Sequence, residues 1–82
     1  MTSDEWFSAL RAAFPPGTDA PTATAAETAA LLDLARVAAH ASERWTAPVS
    51  TFLAGVAFAT SDRAERAEAL RSLVVRLERG GT

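Results

Sequence analysis

The stretch Thr46-Ala47-Pro48-Val49-Ser50-Thr51-Phe52-Leu53-Ala54-Gly55-Val56-Ala57-Phe58-Ala59-Thr60 decides the fold. No charged residue occurs between Arg44 and Asp62, although both flanks are well charged. Pro48 suits the first turn of a helix, where its missing N–H has no intrahelical partner to lose. Thr46 is placed to cap that turn. At about 100° per residue, Val49, Phe52, Leu53 and Val56 form one apolar stripe. Thr51, Ala54, Gly55 and Phe58 form a second on roughly the opposite side. A helix apolar nearly all round is expected to be enclosed by its neighbours. Four turns fall well short of the roughly 20 apolar residues that cross a bilayer. The stretch therefore predicts the central, third helix of a small bundle, over about 47–60. Gly55 in its middle costs roughly 0.5–1 kcal/mol relative to Ala, so close approach of another helix at Gly55 is expected.

The segments on either side carry clear helix signals. Upstream, Thr24-Ala25-Ala26-Glu27 is a capping box that opens a helix over about 25–44. Its apolar arc holds Leu31, Leu34, Ala35, Ala38, Ala41 and Trp45. Asp33, Arg36, His40, Glu43 and Arg44 lie on the opposite arc. The short Trp45-Thr46-Ala47-Pro48 corner brings the second and third helices close together. Downstream, Asp62 caps a last helix over about 62–79, with core stripe Ala67, Leu70, Leu73, Val74 and Leu77 and helix pairs Asp62/Arg66 and Glu68/Arg71. Gly80-Gly81 ends it. At the start, Thr2-Ser3-Asp4-Glu5 caps a helix over about 3–14 whose apolar residues are Trp6, Phe7, Leu10 and Phe14. Pro15-Pro16-Gly17 stops that helix, and 15–24 reads as a mobile linker. No strand-length alternation occurs. The prediction is an all-α, compact four-helix bundle in one domain, with Trp45, Pro48, Phe52 and Gly55 as structural residues.

Composition narrows the function classes. The 82 residues carry a formal net charge of -2, with eight Arg, no Lys and no Cys. Both signs are interspersed, so no basic patch provides the footprint that nucleic-acid phosphates require. The absence of cysteine removes disulfides, thiolate catalysis and Cys-ligated zinc. The acidic Thr2–Glu5 start lacks the basic and apolar regions of a secretory signal, so a cytoplasmic location away from membranes is expected.

The polar arc Asp33, Arg36, His40, Glu43 and Arg44 is the one cluster with chemical potential. Arg36 and Arg44 can grip a carboxylate or phosphate, with His40 titrating near neutral pH. The same three- and four-residue spacings equally describe a solvated helix face stitched by ion pairs. A single His without Cys does not fill a transition-metal site, no nucleophile stands at a motif spacing from His40, and no Gly-rich phosphate loop is present. Neither a cofactor nor catalysis is expected. Trp6, Phe7, Phe58 and Val75 are candidates for exposed apolar contact, although core packing serves them equally well.

The run from Leu31-Leu32-Asp33-Leu34-Ala35-Arg36 through His40 and Arg44, then Ala47-Pro48-Val49-Ser50-Thr51-Phe52-Leu53-Ala54-Gly55, resembles a small helical domain of unknown function from GC-rich Gram-positive bacteria. Members of that family stand alone or follow the guanylyltransferase of molybdenum cofactor synthesis. Asp33, Arg36, His40, Arg44, Pro48, Thr51 and Gly55 match its pattern, while Trp45 and Thr46 depart from it. The resemblance implies a non-catalytic accessory or protein-interaction domain linked to molybdenum cofactor guanylylation, with a nucleotidyltransferase as partner. No nucleotidyltransferase domain occurs within the 82 residues, so that enzyme's catalysis is not carried over. The alternatives are an anion- or ligand-binding domain using the Arg36/His40/Arg44 face, and a self-associating structural module.

Overall fold

The computed structural model describes residues 1–18 and 22–80. Four helices run in chain order: α1 (Ser3–Ala13), α2 (Ala25–Ala41), α3 (Thr46–Ala57) and α4 (Arg63–Glu78). The described residues contain no strand, and the architecture is an all-α, bundle-like fold. None of these helices is long and apolar enough to cross a membrane.

Local chemistry sets the starts. The Thr2 hydroxyl accepts from the Glu5 N–H, and the Glu5 carboxylate accepts from the Thr2 N–H, each at 3.1 Å. Thr24 and Glu27 repeat the arrangement at 3.0 and 3.1 Å. Asp62 accepts from the Glu65 N–H at 2.9 Å. Each pairing satisfies backbone donors that a helix leaves without partners. Phe14, extended ahead of Pro15, ends α1 one residue earlier than expected. Beyond it Gly17 has φ +86°, a left-handed conformation that glycine adopts without strain. The expected mobile linker lies partly outside the described residues. Its end is held where Arg63 donates to the Thr22 hydroxyl at 2.8 Å.

The α2–α3 corner differs from expectation. α2 stops at Ala41 rather than Arg44, because Ser42 leaves helical geometry at φ -144°, ψ -140°. Glu43–Trp45 then form a turn. Thr46 does not cap α3; its hydroxyl donates to the carbonyls of Glu43 at 2.6 Å and Ala38 at 3.2 Å. One side chain thus ties the end of α2 to the start of α3. Pro48 sits in the first turn of α3, as expected. α3 ends at Ala57 rather than Thr60, where Phe58 departs from helical dihedrals.

α2 lies against both α3 and α4. Where they meet, Ala30, Leu34, Ala54, Leu70 and Val74 are buried, with Leu31, Val37, Phe58 and Leu73 packed around them. α1 buries none of its residues. The enclosure expected of α3 is not found: Ala54 is its single buried residue. Trp45 and Phe52, expected to be structural, are exposed rather than packed. The tight corner draws α3 close to α2, and the small residue Ala54 fits between them where Phe52 does not. The large stripe is consequently turned to the outside.

Gly55 corrects a second expectation. Apart from its chain neighbours and the backbone of its own helix, no atom of the described residues lies within 4 Å of where its Cβ would be, so no neighbouring helix packs against it. With open space there and an ordinary helical backbone, Gly55→Ala is expected to raise stability by about 0.5–1 kcal/mol. Thermal melts of the two proteins check this, and a lower melting temperature for the variant would contradict it.

Candidate functional site

The polar cluster does not stay on one surface. Asp33, Arg36 and His40 share a face of α2, but Glu43 and Arg44 lie beyond its end, in the corner. Arg36 reaches Asp33 at 3.8 Å and Glu78 of α4 at 3.6 Å, with all three side chains half exposed. Its guanidinium is therefore engaged across the α2–α4 seam. Exposed pairs of this kind contribute only about 0–1 kcal/mol. Glu43 accepts a hydrogen bond from the Trp45 indole N–H. His40 is exposed in the last turn of α2, and neither it nor Arg44 forms an ion pair among the described residues. No three His, Cys, Asp or Glu side chains converge to hold a metal ion among the described residues.

The feature that sequence reasoning oriented wrongly is the outer face of α3. Trp45, Val49, Phe52, Leu53 and Val56 are 63, 44, 68, 58 and 59% exposed. Their spacing of four, three, one and three residues places them within one arc of the helix. No charge interrupts it from Trp45 to Ser61. Together they expose roughly 500–600 Å², since a fully exposed Phe or Trp alone presents about 150–250 Å². That is at the upper end of the roughly 300–600 Å² of the largest apolar patch on a typical monomer, a patch that is often functional. The opposite stripe splits: Ala54 is buried, Thr51 and Phe58 are half-buried, and Gly55 is open.

A second feature was not anticipated. Glu27, read from sequence only as a cap, is 3% exposed and forms an ion pair with Arg66 of α4. The expected Asp62/Arg66 pair gives way to this one, while Glu68/Arg71 forms as expected. The Arg66 N–H donated to Glu27 lowers the carboxyl pKa to about 2, helped by the Thr24 N–H and the Arg66 charge, and opposed by burial. Glu27 reciprocally raises the Arg66 pKa. A signal for this existed: continuing the buried Ala30/Leu34 stripe back by one turn arrives at Glu27. The pair fastens the first turns of α2 and α4 together and is structural.

Trp6, Phe7 and Val75 are exposed, as apolar-contact candidates should be, whereas Phe58 packs against the core. No curated protein and no solved structure matches this chain. The profile of the family described as domain of unknown function DUF6457 matches residues 1–80, nearly the whole length. The chain belongs to the DUF6457 family.

Proposed function

We propose that this chain is a single non-catalytic protein-interaction domain, acting in the cytoplasm, that docks a protein partner on the outer face of α3. The observation that carries this reading is the uncharged stripe Trp45/Val49/Phe52/Leu53/Val56, left exposed by a helix whose small residue meets the core. Two aromatic anchors in such a patch are the residue types that dominate binding energy at interfaces. The exposed area is below the roughly 800 Å² per partner of a standard stable interface. It fits an exchangeable partner better than an obligate dimer. The resemblance to domains that follow the molybdenum cofactor guanylyltransferase makes that enzyme the first partner to test. The His40 face supports function less well, because Arg36 is already engaged by Asp33 and Glu78.

Phe52→Asp is the discriminating variant. It is expected to melt within about 0.5 kcal/mol of the parent, as surface substitutions do. It is also expected to weaken calorimetric binding to the purified guanylyltransferase at least tenfold. Equal binding by parent and variant would remove α3 from the interface. Sedimentation of the parent alone reveals whether a second copy occupies the face instead.

A further inference from the structure

α1 stands away from the rest of the protein, and the space between is a cleft of about 650 Å³. One wall carries Phe7 and Leu10 of α1 and Phe14 just beyond its end. The lining also includes the small residues Gly55 of α3 and Ala59 just beyond its end. The volume falls within the roughly 300–1,000 Å³ of small-molecule sites. Gly55 gives the cleft a physical meaning. A mid-helix glycine weakens α3, and no packed neighbour accounts for its lack of a side chain. Its effect is to keep this part of the cleft open.

Two guanidinium groups line the same cleft, those of Arg11 and Arg66. The Arg11 side chain forms no hydrogen bond or ion pair with the described residues. Arg66 commits its Nε to Glu27, and its terminal nitrogens have no partner among the described residues. That pair balances the Glu27 and Arg66 charges against each other. The other carboxylate, Asp4, lies two turns from Arg11, roughly 10 Å along the α1 axis. The cleft thus combines apolar walls with the donors of Arg11 and Arg66. We infer that it binds a free monocarboxylate with a medium-length apolar tail, the tail between α1 and Gly55/Ala59 and the carboxylate on Arg11 and Arg66. This site is separate from the α3 docking face.

Decanoate, kept below its micellar concentration, is the probe, with 1-decanol as its uncharged counterpart. Calorimetry and amide-shift titration of the full chain should show saturable binding of one decanoate. Gly55→Leu should bind it at least tenfold more weakly while melting no lower than the parent, because the added side chain enters open cleft. Arg11→Gln should weaken decanoate about fivefold or more and leave decanol unchanged. Phe52→Asp should bind decanoate as the parent does, which separates the cleft from the α3 face. Equal decanoate affinity in Gly55→Leu, loss of binding in Phe52→Asp, or no saturable binding by the parent would each overturn the inference. So would an unchanged preference for decanoate over decanol in Arg11→Gln.

Discussion

Leu34→Ala is expected to lower stability by about 3 kcal/mol, within the usual range of roughly 2–5 kcal/mol for a buried Leu. For a chain of this size that corresponds to a melting temperature roughly 12–24 °C below the parent. Leu34 is 2% exposed and sits where α2 meets its two neighbours. Among the described residues the buried apolar ones are Ala30, Leu34, Ala54, Ala67, Leu70 and Val74, of which three are Ala. With so few large side chains at the centre, removal of one Leu leaves little to close the cavity. A domain of this size is only marginally stable to begin with. A circular-dichroism melt measures the effect. A loss below about 1 kcal/mol would mean that the helices are held elsewhere.

The second large effect is expected at Glu27. Glu27→Ala removes the carboxylate half of the α2 capping box, leaving the Thr24 cap in place, and removes the partner of Arg66. Breaking a buried pair costs roughly 3–5 kcal/mol. The Arg66 side chain is 23% exposed and can turn outward to water, so a total of about 2–4 kcal/mol is expected. The pair also has a pH signature. The folded-state pKa of Glu27, about 2, lies below the ordinary value of 4.5. Its contribution is therefore fully present above about pH 4.5 and is lost as pH falls towards 2. The parent should lose stability steeply across that window, and Glu27→Ala should show a shallower acid limb. Parallel acid limbs would show that the pair contributes nothing to folding.

What was legible in the sequence was local. Thr2/Glu5, Thr24/Glu27 and Asp62/Glu65 lie three residues apart, and each pairing fixes a helix start without knowledge of anything distant. Pro48 and Gly17 were legible for the same reason. The orientation of α3 was not. Periodicity shows that Val49/Phe52/Leu53/Val56 and Thr51/Ala54/Gly55/Phe58 are separate stripes, but both are apolar, and hydrophobicity alone assigns the larger one to the core. The deciding factor is how closely the Ser42–Trp45 turn draws α3 to α2, and that is a tertiary quantity. Glu27 was hidden differently, since one carboxylate serves two roles and its partner lies 39 residues away. The polar cluster was half legible. Asp33, Arg36 and His40 share a helix face, but the dihedrals of Ser42 end α2 before Glu43 and Arg44 can join it.

These points meet in one claim: the largest apolar surface of α3 faces outward and not into the core. Solvent paramagnetic relaxation of methyl groups tests it most directly, using a soluble probe and the free protein at low concentration. The methyls of Val49, Leu53 and Val56 should relax strongly, while those of Leu34, Leu70 and Val74 stay protected. Protection of Val49, Leu53 and Val56 equal to that of Leu34 would mean that α3 is enclosed after all, and would contradict the account.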